Sequence, residues 1–209
     1  MLGLTPTDLI ARVITLIVAL SAHEFAHAWT ADQLGDDTPR LQGRLTLNPL
    51  AHLDPIGSLL LIVAGFGWAR PVIVNPYQLQ RRSPAAMMLV AIAGPFSNLV
   101  MAILAAIPFR AGLLSLGFAP SFAANLLAEF IFINLLLMFF NLIPIAPLDG
   151  EKVAEYFLPP AGQRMLDRIR PAGPALLLGL IVLGSVAGLD LIGNLIGKPA
   201  LSVFRLLIF

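Results

Sequence analysis

The chain has 209 residues, 58% of them hydrophobic and only 12% charged, and its mean hydropathy is +0.87. A soluble domain carries about 25% charged residues, so this composition is typical of a polytopic membrane protein. The formal net charge is +1 without any block of basic residues, which excludes nucleic acid as an expected partner. Because the chain has no cysteine, disulfides and thiolate ligands are excluded, and a metal would need His, Asp or Glu.

Four segments are long and apolar enough to cross a bilayer, which takes about 20 residues. They are predicted at about 8–32, 84–110, 122–143 and 172–190. The first lacks the basic start and the small-residue cleavage site of a signal peptide, so we expect it to be retained as a span. The predicted fold class is an all-α polytopic membrane protein with about four transmembrane helices, forming one domain over 1–209.

The connection between the first two spans has a different pattern. Residues 40–77 contain alternating and β-branched stretches punctuated by Gly and Asn-Pro, which predicts a short β-hairpin. Within it, the apolar run Ile56–Trp68 is too short for a span and predicts a re-entrant or interfacial piece. The tail, 191–209, is interrupted by Gly and Pro and is predicted to lie at the membrane interface rather than to span.

The distribution of basic residues predicts an orientation. The connection 33–83 carries five arginines and the connection 144–171 carries four Lys and Arg residues, whereas the connection between spans two and three has only Arg110. The positive-inside rule therefore places the first two connections in the cytoplasm. Both polar motifs described next then lie at cytoplasmic ends of spans.

The first span carries two histidines and a glutamate close together. His23 and His27 are four residues apart, about 40° of rotation on a helix, so both imidazoles face the same way. With Glu24 they form His-Glu-x-x-His, in which two histidines bind Zn²⁺ and the carboxylate takes the proton of the attacking water. An ionisable residue within a span costs roughly 2.5–3.5 kcal/mol, which favours a functional interpretation.

A catalytic zinc site usually has three protein ligands, and the candidate for the third is Asp149. Pro144 and Pro147 cannot continue the third span, so the chain must break there. Asp149 also suits an ordinary N-cap of the following helix, GEKVAEYF. Topology favours the ligand, because spans one and three run in the same direction and bring Asp149 to the same side as His27.

Two motifs together resemble a known family. His23-Glu24-x-x-His27, and the later stretch from Asn141 through two prolines to Leu-Asp149-Gly, look like the site-2 protease family of intramembrane zinc metalloproteases, peptidase family M50. GPFSN in the second span matches a further element of the family pattern. The resemblance covers the three-helix core, about residues 8–155. The connection between the first two spans is similar to that of a short bacterial form of the family.

The resemblance implies that His23, His27 and Asp149 hold one Zn²⁺ per chain and that Glu24 is the catalytic acid and base. It implies hydrolysis of peptide bonds within or near transmembrane segments of membrane proteins, with the substrate segment and the lipid bilayer as partners, in the bacterial cytoplasmic membrane. PDZ and CBS domains, which several members have, are not expected here. The chain differs from many members of the family at Glu151, where those members have a second glycine in the loop.

Two asparagines have more than one interpretation. By the resemblance, Asn141 hydrogen-bonds the oxyanion or orients Glu24, but with Asn134 on the same face it suits interhelical hydrogen bonding equally well. Asn98, beside a Gly-Pro pair, suits packing at a kink or a supporting role near the metal.

Two further polar clusters are open to interpretation. His52 and Asp54 could form a gate over the zinc, a second metal site, or simply a turn before a proline. Arg12 lies on the same stripe of the first span as His23, and Asp8 or Glu129 is its predicted partner.

The competing function is a metal-ion carrier or channel that uses the same His and Asp cluster. Glu24 favours the protease, because a carrier does not need a general base beside two ligands.

A helical substrate must unwind before cleavage, and the strand-like 41–48 or 70–77 could pair with the extended substrate by edge addition. Nothing in the pattern fixes an oligomeric state.

Overall fold

The computed structural model describes residues 6–57, 68–117, 120–186, 190–191 and 193–209, which are mostly helical. A 3₁₀ turn at Arg170–Ala172 and a π-helical turn at Gly193–Gly197 complement the α-helices. In chain order the α-helices are α1 Pro6–Gln33, α2 Thr38–Leu41, α3 Pro49–His52, α4 Pro76–Arg82, α5 Ala86–Arg110, α6 Phe122–Asn141, α7 Asp149–Phe157, α8 Pro160–Ile169, α9 Gly173–Val186 and α10 Lys198–Ile208.

Three of these helices are long and apolar enough to cross a membrane: Leu9–Gln33 of α1, Ala86–Arg110 and Phe122–Asn141. They confirm three of the four predicted spans. The predicted fourth span, 172–190, corresponds to α9, whose 14 residues extend about 21 Å and fall short of a hydrocarbon core of about 30 Å. Residues 187–189 lie outside the described part of the chain, so a count of four spans is not confirmed.

Helix α1 ends where a glycine permits the chain to turn. Gly35 has a φ of +92°, which is costly for other residues. The amides of Leu34 and Asp36 donate to the carbonyls of Thr30 and Ala31, as in a glycine-terminated helix. The turn directs the chain into the connection that lies beside the histidines.

Helix α5 packs against both α1 and α6. Its buried face is a stripe of small residues, and small side chains let helices approach closely in a membrane protein. The buried residues of α5 include Ala91, Gly94, Ala102 and Ala106, together with Asn98 and a few larger side chains. Helix α10, in the predicted interfacial tail, completes the core of α5 and α6 through buried Ala200 and Ile208.

The predicted β-hairpin is not confirmed. In the described part of 40–77 there is one isolated antiparallel bridge, Leu53 to Ala69, and no strand. The arms on either side of the undescribed residues, 40–57 and 68–77, are joined by the backbone bond from the amide of Arg70 to the carbonyl of His52 and by side chains. Arg44 donates to the carbonyls of Ala51 and Arg70, and Asp36 accepts from the amide of Asn75. Prolines in the second arm lack the N–H that a ladder needs, and the predicted re-entrant run falls mainly on 58–67, outside the described residues.

Arg12 and Glu129 form an ion pair between α1 and α6. Arg12 Nε donates to Glu129 Oε1 at 2.8 Å. This confirms Glu129 as the predicted partner. The pair satisfies two charges within apolar helices, where an unpaired charge is costly.

Candidate metal centre

Helix α1 presents three polar side chains to the interior of the helix assembly. The exposed fractions of His23, Glu24 and His27 are 4%, 9% and 8%. As the spacing of four predicted, both imidazoles lie on one face, with their Nε2 atoms 3.0 Å apart. This face turns towards α5 and the start of α7.

Asp149 completes a group of three metal-binding side chains. Its Oδ2 lies 3.2 Å from His23 Nε2, and its Oδ1 lies 3.3 Å from His27 Nε2. It is the first residue of α7, and the N-cap is Leu148, without a side-chain capping bond. The capping interpretation of Asp149 is therefore wrong, and its carboxylate turns towards α1.

The outer nitrogen of each imidazole is held by a neighbour on α5. His27 Nδ1 lies 2.7 Å from the carbonyl oxygen of Val90, and His23 Nδ1 lies 2.8 Å from Asn98 Oδ1. A carbonyl oxygen only accepts, so Nδ1 of a neutral His27 carries the proton and its Nε2 keeps a lone pair. Metal-binding histidines are usually oriented in this way.

The donor set fits a metal ion. Atoms of His23, His27 and Asp149 that can bind a metal all lie within 4.8 Å of one another, the one such group among the described residues. Asp149 Oδ2 is buried without a hydrogen-bond partner. Two imidazoles and a carboxylate are ligands that Zn²⁺ accepts. A cation would satisfy the acceptor atoms that this group brings together.

Gly94 on α5 keeps the space between the imidazoles open. A Cβ built on Gly94 would lie 2.6 Å from His23 Nε2 and still closer to His27 Nε2. The absence of a side chain at this position therefore preserves the volume towards which both nitrogens point. The sequence interpretation of GPFSN as packing did not reveal this role.

Glu24 lies beside the group, in a cavity of about 260 Å³ that the histidines and Asp149 also line. Its Oε2 accepts a hydrogen bond of 3.0 Å from the backbone amide of Val72, in the extended arm after Ala69. Sequence reasoning missed this contact because a backbone amide has no residue-specific signal. The connection after α1 thus contacts the predicted general base directly.

Of the remaining predicted site residues, Asn141 and Asn98 lie at the site, whereas His52 and Asp54 have their contacts within the connection after α1. Asn141 lines the same cavity, with its Nδ2 donating to the carbonyl of Leu137 in its own helix. Asn98 is fully buried and contacts His23. His52 Nε2 lies 2.7 Å from the carbonyl of Thr46, within the connection.

Asp54 also has its contacts within the connection. Its Oδ1 accepts from the amides of Ile56 and Gly57. This is the turn arrangement that the sequence offered as one alternative.

Comparison with known proteins is consistent with these features. The model of peptidase family M50 matches residues 117–182. YwhC of Bacillus subtilis, which carries the name of a zinc metalloprotease, is 42% identical over 181 residues, or 81% of this chain and 79% of YwhC. Rip2 of Mycolicibacterium smegmatis carries the same type of name and is 33% identical over 171 residues, or 79% of this chain and 64% of Rip2. No solved structure gives a significant match.

Proposed function

The chain belongs to peptidase family M50, the family of the site-2 proteases, and we propose that it is an intramembrane zinc metalloprotease. The observation that carries the proposal is the convergence of His23, His27 and Asp149 beside Glu24. The two histidines belong to an apolar helix that is long enough to cross a membrane. Zinc is the metal that the names of the relatives carry, and the three side chains would hold it.

A bound zinc ion would polarise the scissile carbonyl and make a water molecule more acidic. Glu24 takes the proton of that water and passes it to the leaving amine, as a general base and then a general acid. Its hydrogen bond to the amide of Val72 orients the carboxylate in the cavity. His23 and His27 hold their Nε2 atoms towards the same space through bonds at Nδ1.

Asn141 is proposed to donate a hydrogen bond to the oxyanion or to orient Glu24. One N–H of its amide is directed to the carbonyl of Leu137, 3.1 Å away. The second N–H is available to a group in the cavity, because a side-chain amide has two donors. Such a donor stabilises negative charge that develops in the transition state.

The proposed substrate is a transmembrane segment of another membrane protein, cut at the cytoplasmic side of the cytoplasmic membrane. A helix hides its carbonyl groups in hydrogen bonds, so the substrate must be extended where it is cut. The extended arm passes beside Glu24, and beyond Pro71 it offers the backbone groups of Ile73 for edge pairing. The orientation rests on the excess of Lys and Arg in the connections beside the site.

The test compares wild type with Glu24→Gln in liposomes that contain a transmembrane test substrate. We expect the variant to keep one zinc per chain and to lose cleavage, because the amide cannot accept the proton. Asp37→Asn, an exposed carboxylate changed in the same way, is the control and should retain both. A variant that still cleaves, or a wild type that binds no metal, would overturn the proposal and favour the carrier or another role.

A further inference from the structure

Two buried asparagines connect His23 to the third membrane helix. Asn98 on α5 and Asn134 on α6 are both fully buried. Asn98 Nδ2 donates to Asn134 Oδ1 at 2.9 Å, and Asn98 Oδ1 lies 2.8 Å from His23 Nδ1. This row of amides joins the three helices that, within the described residues, are long and apolar enough to span a membrane.

Backbone carbonyls set the direction of the hydrogen bonds in this row, and the closer of the two lies at its far end. Asn134 Nδ2 donates to the backbone carbonyl of Phe130 at 2.9 Å. A carbonyl can only accept, so Asn134 must turn its Oδ1 towards Asn98. Asn98 must then present its NH₂, which also points to the carbonyl of Ala19 at 3.4 Å.

The opposite side of Asn98 is consequently an acceptor. Its Oδ1 faces His23 Nδ1, which must carry the ring proton of a neutral imidazole. His23 Nε2 is left with its lone pair directed at Asp149 and His27. The other tautomer would place a proton on Nε2, in the position of the metal.

We propose that Asn134 is a positioning residue that fixes the tautomer of His23 through Asn98. This inference rests on the proposed function, because it concerns His23, which is proposed to bind zinc. His27 provides a contrast within the same site. Its Nδ1 faces the backbone carbonyl of Val90 and requires no side chain for its orientation.

The experiment uses the metal-free, full-length protein in detergent with ¹⁵N-labelled histidine. Long-range ¹H–¹⁵N correlations distinguish the two tautomers, and the chain has only three histidines to assign. We expect Nδ1 of His23 to be fully protonated in the wild type. In Asn134→Leu and in Asn98→Leu a population of His23 that lacks the Nδ1 proton should appear, while His27 remains unchanged.

The second measurement is zinc affinity by competition with a chelator. Loss of a group that orients a metal-binding histidine typically weakens affinity about 10- to 100-fold, and we expect this range for Asn134→Leu. Asn125→Leu changes the same residue type at an exposed position of α6 and should alter neither the tautomer nor the affinity.

Asn134→Ala serves as a second variant if the leucine prevents folding. The inference is overturned if a folded variant at Asn134 keeps Nδ1 of His23 fully protonated, or if His27 changes as much as His23. Failure of the protease proposal is distinguishable, because the tautomer is read without metal, substrate or cleavage. In that case Glu24→Gln would retain activity while the effect of Asn134 on His23 persisted.

Discussion

Replacing Gly94 by alanine is expected to weaken zinc binding strongly, although none of the three proposed ligands is substituted. The new methyl carbon would lie 2.6 Å from His23 Nε2, about 0.8 Å inside the 3.4 Å of an ordinary contact, and closer still to His27 Nε2. Zinc itself lies about 2.0–2.1 Å from histidine nitrogens. The methyl group would therefore occupy the space that the metal needs.

The surrounding residues leave little room for relief. Both imidazoles are buried and are held at Nδ1 by Val90 and Asn98, so neither ring can swing away without losing a hydrogen bond. Forcing an extra methyl group into a packed interior typically costs about 1–3 kcal/mol. We expect zinc affinity to fall at least about 100-fold, which corresponds to about 3 kcal/mol.

The measurements are metal content after purification and the zinc dissociation constant by competition with a chelator. Gly179→Ala on α9 is the matched control, because a Cβ there meets nothing within 4 Å. It should bind zinc like the wild type. Stoichiometric zinc with unchanged affinity in Gly94→Ala would refute the assignment of this space to the metal.

Three further outcomes are expected. Glu129→Gln leaves Arg12 unpaired between apolar helices and should lower the free energy of unfolding by about 1–3 kcal/mol, which is less than for a fully buried pair. Replacing both residues by leucine should recover stability. A double variant that is as unstable as the single one would contradict this explanation. Ile73→Pro should reduce cleavage of a membrane substrate while metal content stays the same, and unchanged cleavage would exclude edge pairing at this residue. Burial raises the pKa of Glu155, but hydrogen bonds and charge from Lys152 and a neighbouring arginine hold it below its ordinary value. The ionised Glu155 carboxylate therefore stabilises the fold above about pH 4.3, and this contribution is lost as the pH falls through the depressed pKa. Thermal unfolding at several pH values should show that acid destabilises the wild type more than Glu155→Gln.

Local spacing in the sequence predicted the features that depend on one helix. His23 and His27 face the same way because four residues nearly complete a turn, whatever the rest of the chain does. Asp149 required a topological argument, since it lies more than 120 residues further along the chain. The capping alternative failed because α7 begins at Asp149 itself, one residue earlier than a cap at that position would require.

The connection after α1 shows where the pattern was insufficient. Alternation between 40 and 77 predicted paired strands, but pairing also needs a continuous row of backbone donors, and Pro71 interrupts it. Arg44 and Asp36 then join the arms through side-chain bonds to backbone groups. Backbone partners such as the amide of Val72 could not be predicted, because their position depends on the folded connection and not on residue type.

The ion pair between Arg12 and Glu129 also has a consequence for biosynthesis. The two residues are 117 positions apart, and a ribosome adds roughly 5–20 residues per second, so Arg12 is made roughly 6–23 s before its partner. During that interval the first helix carries a cation whose partner has not yet been translated. Translation of the third long helix ends this interval, and Asp149, the last of the three proposed metal ligands, follows 20 residues after Glu129.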